Sequence, residues 1–285
     1  MESLTLGAVA YDPKVVTIWE GFKTWFHEKG LPFDFVLYST YERQVEGHLA
    51  GEVQVAWSSP LSWIETERAA LRRGRRARAL AMRDTDRDLT SVIVVRDDAP
   101  ARAVRDLAGA VVAVGASDSP QATLIPLLHL AEAGLDPARD IELDRHDRLV
   151  GKHGDHIGGE REAASALLAR RADAACLIDA NHLAFVHEGT LPPGSTRILA
   201  QTAPYDHCNM TVLDDAPESA VRRFQDLLLS MSYDDPAVRP LLDLEGLKRW
   251  LPGRTEGYAQ LNRAVDRFGT VDGWLSRIEG TGASG

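Results

Sequence analysis

Three short stretches of this chain hold the residue types that bind small molecules or do chemistry. The first is Ser117-Asp118-Ser119-Pro120-Gln121-Ala122-Thr123, set between an apolar run from Ala110 to Val114 and a helix-like segment from Leu124 to Ala133. A strand that runs through Gly115 into hydroxyls and an acid, then a helix, leaves backbone N–H groups that an anion or polar ligand can take. An ordinary Ser or Asp helix cap is the plainer reading. The second stretch is Lys152-His153-Gly154-Asp155-His156, in a glycine-rich run from Gly151 to Gly159. His153 and His156 suit donation to an anionic ligand. With Asp155 they also suit zinc or iron, although the spacing matches no established metal signature. A polar, capped loop is the third reading. The last stretch is Asp206-His207-Cys208-Asn209. An imidazole beside a thiol can lower its pKa and make a nucleophile, so His207 and Cys208 are the catalytic candidates. With His153 and His156 they are also the candidate metal ligands. On extended backbone His207 and Asn209 share a face, and His207 and Cys208 do not touch unless the chain bends.

Further polar and aromatic residues fall at predicted strand ends or on the helix facing them. Ser58 and Ser59 follow the apolar run Val53 to Trp57, and Tyr11 follows the first strand. Tyr11, Tyr41 and Trp57 suit an aromatic wall for a small ligand, with core packing as the alternative for Trp57. Ser58, Ser59, Ser117, Ser119, Gln121 and Thr123 supply donors. The chain has no phosphate loop, no dinucleotide fingerprint and no Cys-x-x-Cys pair.

Composition narrows the function classes. The chain has 285 residues, 44% hydrophobic and 26% charged, enough for two cores. Its net charge of -10 argues against nucleic-acid binding. The basic run Arg72 to Arg78 lies among Glu65, Glu67, Asp84 and Asp86 and reads as a solvated helix end. Cys176 and Cys208 form no disulfide framework. No apolar run spans a membrane. The opening residues carry no export signal, which implies a cytoplasmic protein if Met1 is native, and a periplasmic or extracellular one if the chain is a mature fragment. Oligomeric state is not legible.

The elements that must position these residues alternate. Strands are expected at Leu4–Ala10, Phe33–Leu37, Val53–Trp57, Arg78–Met82 and Ser91–Arg96, with helices at Val16–Lys29, Tyr41–Ala50 and Leu61–Ala70. The alternation restarts after Pro100, with strands at Ala110–Val114, Ile141–Asp144, Ala174–Ile178 and Arg197–Thr202. Between and after them come helices at Leu124–Ala133, Glu160–Arg170, Asn181–Glu188 and Ala216–Met231. A helical tail runs through Leu247, Trp250, Tyr258 and Leu261, and the residues from Gly280 read as disordered. This pattern implies an α/β protein with parallel-rich sheets, whose ligands bind beyond the carboxyl ends of strands.

In order and spacing the chain resembles the type II periplasmic-binding-protein fold, and within it the phosphate/phosphite/phosphonate (PhnD-like) solute-binding group of ABC transporters. The resemblance rests on Tyr41-Glu42-Arg43-Gln44 leading to Leu49 through Trp57, on Ser117 to Pro126, and on Leu167 to Ala175. It covers residues 4 to 265. It implies two lobes with a central interlobe cleft: lobe one from 1–94 and 207–285, lobe two from 95–206, with crossings near 91–96 and 202–211. His153, His156 and His207 are then expected to border one opening. The function implied is hinge closure over a small polar anion, phosphate- or phosphonate-like or a carboxylate, with an ABC permease as partner if the chain is exported. The alternative is a cytoplasmic enzyme on the same fold, using the His/Asp/Cys cluster with or without a divalent metal.

Overall fold

The computed structural model describes residues 3–154 and 157–270. Within them the chain divides into two compact units, one from residues up to 87 and from 206–258, the other from 88–205 and 259–270.

The first unit opens with β1 (Leu4–Val9), α1 (Lys14–Glu28), β2 (Phe33–Tyr38), α2 (Tyr41–Leu49), β3 (Val55–Ser58), α3 (Pro60–Arg72) and β4 (Ala77–Arg83). On α1 the spacing of Val15, Ile18, Trp19, Phe22, Trp25 and Phe26 makes one continuous apolar face, and all six are buried. Gly30 ends that helix at φ +76°, and the Leu31 N–H returns to the Phe26 carbonyl at 2.9 Å.

The second unit holds β5 (Ser91–Arg96), β6 (Val111–Val114), α4 (Ile125–Glu132), β7 (Glu142–Arg145), α5 (Gly158–Leu168), β8 (Ala174–Ile178), α6 (Asp179–Glu188) and β9 (Thr196–Gln201). The chain then returns to the first unit for β10 (Asn209–Leu213), α7 (Glu218–Ser230), α8 (Arg239–Glu245) and β11 (Trp250–Pro252). Finally α9 (Ala259–Phe268) packs on α4 of the second unit.

Each unit is built on its own sheet. The first runs β11-β4-β10-β3-β1-β2 and the second β7-β6-β8-β5-β9. Both are mixed rather than largely parallel. Only β1–β2 and β1–β3 are parallel in the first, and β6–β7 and β6–β8 in the second. The antiparallel pairs are β10 against β3 and β4 and β11 against β4 in the first sheet, and β5 against β8 and β9 in the second. β5 lies wholly in the second sheet, and the chain passes between the units at 87–88, 205–206 and 258–259.

The helical tail expected through Trp250 is not there. Gly246 at φ +80° stops α8, and Trp250 to Pro252 pair with β4 instead. That strand carries the Trp250 ring edge-on to Trp57 at 5.7 Å and to Phe22 at 6.2 Å, which a helix would not do. Trp57 is therefore a core residue of the first unit. The same core stacks Phe224 of α7 on Phe33 at 5.9 Å and sets it 5.1 Å from Phe26. Phe224→Ala should destabilise the first unit by about 3–5 kcal/mol. Urea unfolding followed by tryptophan fluorescence checks this, and a loss under about 1 kcal/mol would mean that the ring is not anchoring the core.

Candidate functional site

In the second unit two of the three chemical stretches come together. The chain leaves β6 through Gly115 and makes one wide turn over Pro120–Leu124 before α4 begins. Its Leu124 N–H reaches the Ser119 carbonyl at 3.0 Å, an i to i+5 bond. Such widened turns expose polar groups and recur at functional sites. Ser119 caps the turn, its Oγ accepting from the Ala122 N–H at 3.2 Å. The Ser117 N–H donates to Asp147 Oδ1 at 2.7 Å. Asp118 Oδ2 accepts from the Gly151 N–H at 2.6 Å, and Gln121 Nε2 donates to the Gly154 carbonyl at 2.6 Å. These bonds hold the 149–154 loop against the turn. The Gln121 carbonyl in turn accepts from Ser91 Oγ at 2.5 Å, which fixes the turn to β5.

The loop is held in demanding geometry. Leu149, Gly151, His153 and Gly154 have φ of +50°, +89°, +49° and +81°. His153 adopts the left-handed region while fully buried, a conformation that persists only when its surroundings impose it. Gly154 is required for space as well: a Cβ there would lie 2.5 Å from Gln121 Nε2 and 2.6 Å from Ser119 Oγ. Asp155 and His156 lie outside the described residues.

Against this well-bonded frame, three side-chain oxygens stand out. Thr123 Oγ1, Gln121 Oε1 and Asp118 Oδ1 are buried and have no hydrogen-bond partner among the described residues. Leaving such atoms unpaired costs about 1–3 kcal/mol each, so a ligand or water is expected to meet them. Beside the turn, Gly115, Ser119, Gly154 and Gly159 enclose about 10 Å³, room for one water.

In the first unit the predicted ligand residues lie at the ends of interior strands and at the starts of the helices that follow. Tyr41, at the start of α2, is buried, as are Ser58 and Ser59, while Tyr11 is half-buried against the core. Gln44 Nε2 donates to the Gly7 and Trp57 carbonyls at 2.8 and 2.9 Å, joining α2 to β1 and β3. Ser59 caps α3, accepting from the Ser62 N–H at 3.1 Å. Ser58 Oγ lies 2.9 Å from Thr211 Oγ1, which is 2.7 Å from Asn209 Oδ1. Asn209 Nδ2 donates to the Tyr258 hydroxyl at 2.9 Å, and that hydroxyl donates to the His207 carbonyl at 2.8 Å.

That chain of bonds ends at a buried charge cluster. Arg83 donates to both oxygens of Asp86, at 2.6 and 2.8 Å, and lies over the Trp57 ring at 5.1 Å. Its third nitrogen donates to the Glu245 carbonyl at 2.8 Å. Desolvation pushes the Asp86 carboxyl up, but the Arg83 charge and hydrogen bonds, with His207, overcome it and hold the group well below the ordinary carboxylate range. His207 Nδ1 is 3.3 Å from Asp86 Oδ1 and 3.1 Å from Cys208 Sγ.

The adjacent His207 and Cys208 therefore do touch, contrary to the extended-strand expectation. β10 begins only at Asn209, and the bend before it turns both side chains to one place. The same ring nitrogen faces both thiol and carboxylate. A nucleophile–base–orienter relay uses the two different nitrogens of an imidazole. Cys208 is also buried in the core of the first unit. Asp86, His207 and Cys208 bring one ligand atom each within 4.8 Å of one another, a donor set that zinc accepts. Both Asp86 oxygens are held by Arg83, however, so a cation here has to displace a guanidinium that already supplies the positive charge.

The sequence reading missed Arg83, Asp86, Asn209 and Thr211. Asp86 entered the sequence reading only as one of the acids around the basic run Arg72 to Arg78, itself read as a solvated helix end; it is 1% exposed, and Glu65, another of those acids, is buried too. The local signal was the Arg83-x-x-Asp86 spacing, but only the returning His207 segment closes the cluster.

A family model described as "ABC transporter, phosphonate, periplasmic substrate-binding protein" matches residues 8–258. No curated protein matches the sequence. Among solved structures, PhnD1 from Prochlorococcus marinus (MIT 9301) in complex with methylphosphonate is 15% identical, covering 94% of this chain and 98% of its own, with a TM-score of 0.69. XAC2383 from Xanthomonas citri bound to ATP is 19% identical, covering 98% of both chains, with a TM-score of 0.69. The periplasmic aliphatic sulphonate binding protein SsuA from Escherichia coli is 17% identical, covering 95% and 93%, with a TM-score of 0.60. These structures share the two-lobe α/β fold.

Two outcomes follow from the geometry. Arg83→Met leaves Asp86 buried without its partner and should cost about 3–5 kcal/mol at neutral pH. Because the folded carboxyl titrates below its unfolded value, the wild-type contribution is present above about pH 4 and fades as the pH falls through the folded pKa. Urea unfolding at pH 7 and pH 3 should show the gap between variant and wild type narrowing in acid; an unchanged gap would contradict the assignment. Gly154→Ala should strain the loop and loosen it from Gln121, read as faster amide exchange at 149–154, while wild-type exchange rates there would show that the close packing is not real.

Proposed function

We propose that this chain, which belongs to the phosphonate periplasmic substrate-binding family of ABC transporters, takes as its ligand a small phosphonate- or phosphate-type oxyanion. The observation that carries this reading is the set of unpartnered buried oxygens on one turn, Asp118 Oδ1, Gln121 Oε1 and Thr123 Oγ1. The Thr123 and Ser119 hydroxyls can donate to anionic oxygens. Asp118 Oδ1 and Gln121 Oε1 can only accept, so the ligand must also bring a donor. A partly protonated phosphonate or phosphate carries both in one group. A sulfonate, fully ionised at neutral pH, offers no O–H, and the Asp118 carboxylate would repel it.

The reading extends to the other candidates. Tyr11, Tyr41, Ser58, Ser59 and His207 of the first unit, and Ser117, His153 and His156 of the second, are proposed to complete the ligand's surroundings as the lobes close on it. An ABC permease is the proposed partner, with export across the cytoplasmic membrane as the proposed location. No helix among the described residues is long and apolar enough to cross a membrane. The Arg83–Asp86–His207 cluster is proposed to position His207 rather than to catalyse.

Calorimetry with methylphosphonate, inorganic phosphate and methanesulfonate tests this. We expect the phosphorus anions to bind and the sulfonate to bind at least about tenfold more weakly, the worth of one charged hydrogen bond made or denied. Thr123→Val should weaken phosphonate binding by about 1–3 kcal/mol. Asp118→Asn should narrow the discrimination against sulfonate. No heat with any of the three, or equal affinity for phosphonate and sulfonate, would sink the proposal.

A further inference from the structure

A second polar cavity lies in the first unit, at the far end of its sheet from Ser58. It encloses about 280 Å³ beside the end of α2, the residues leading into β3 and the loop before α7, and its walls include His48, Arg75, Asp215 and Pro217. That volume suits a small ligand. His48 is 1% exposed, and neither ring nitrogen has a hydrogen-bond partner among the described residues. Burial, and then the Arg75 charge, push its pKa down to about 4. The ring is therefore neutral at pH 7, with one N–H to give. The Gln54 backbone beside the ring works the other way.

Arg75 supplies the charge. It donates to the Leu49 carbonyl at 2.8 Å and pairs with Asp215, while its buried Nε lacks a partner among the described residues. α7 starts at the same wall: Pro217 occupies its N-cap position and no side chain caps it, so the first-turn amides keep their donors. The Gln54 side-chain carbonyl is already taken by the Thr5 N–H at 2.9 Å. His48, the Arg75 Nε and the start of α7 thus bring donors to the residues around this space. The Asp215 side chain is 62% exposed and free to turn to water if another anion takes its place on Arg75.

We propose that this cavity is a second ligand site, for a small oxyanion of the carboxylate or phosphate type, held by Arg75, His48 and the start of α7. Its residues are distinct from those of the Ser117–Thr123 turn, so it stands or falls independently of the ligand proposed there.

His48 reports on the site directly. The full chain is titrated with sodium acetate and, separately, with sodium phosphate at constant ionic strength, while the imidazole resonances are followed by NMR. We expect the His48 signals to shift saturably with at least one anion, and the responding anion tells carboxylate from phosphate chemistry. Arg75→Met should abolish the shift. Asp215→Asn, an exposed change that should leave folding intact, removes the competing carboxylate and should tighten binding roughly two- to fivefold, the worth of an exposed ion pair. His48 signals unmoved by both anions in wild type and in Asp215→Asn would overturn the proposal. So would an equal shift in Arg75→Met.

Discussion

The buried pair between Arg83 and Asp86 is the constraint around which the first unit is organised. A carboxylate that is 1% exposed is tolerable only because a guanidinium meets both of its oxygens. Arg83 ends β4 and Asp86 lies just before the chain leaves the unit, while the returning segment is tied to the same place by the His207 N–H, which donates to the Asp86 carbonyl at 2.8 Å. That returning segment is fixed further by Arg254, which donates to both oxygens of Asp206 at 2.6 Å. Gly257 has no room for a Cβ beside the same carboxylate. The leaving and returning stretches of the unit are therefore held by ionic contacts rather than by apolar packing alone, and His207 is set in one orientation by them. A paired apolar replacement of similar shape could match the stability, but it would release His207.

In the second unit the same economy serves a different end. The turn after β6 spends its backbone and half of its side-chain capacity on fixing itself to the 149–154 loop and to β5. Among its buried side-chain oxygens, one hydroxyl and two acceptors have no partner among the described residues. A preorganised turn of this kind loses little entropy when a ligand arrives, because its geometry is already determined. The left-handed His153 and the crowded Gly154 are the cost of that preorganisation. On the proposed reading, this mixture of donor and acceptor would favour a protonated oxyanion over a fully ionised one.

Much of this was legible in the sequence. Apolar periodicity located nearly every element, and the restart after Pro100 marked the second sheet. The Ser117–Thr123 turn was visible because hydroxyls and Pro between an apolar run and a helix-like segment mark a strand–helix turn, although a plain helix cap uses the same residues. Local patterning did not reveal the antiparallel strands, since β10 reads like any buried apolar run until its partners are known. Trp250 was misassigned for a related reason: its helical spacing from Leu247 is real, but the strand register against β4 and the Trp57 ring decide its place. The ionic cluster escaped because a run of alternating acids and arginines looks solvated, and only residues distant in sequence bury it. His207 and Cys208 come into contact because they precede β10, which begins only at Asn209, so the extended-strand geometry that would separate them does not apply.

The central claim is that the turn after β6 carries the ligand-binding groups for a phosphorus oxyanion. A crystal structure of the protein grown with methylphosphonate tests it most directly. The account predicts the ligand within hydrogen-bonding distance of Thr123 Oγ1 and Asp118 Oδ1, with Ser119 still capping the turn. A well-occupied ligand bound elsewhere, with those oxygens still unpaired or met by water alone, would contradict it.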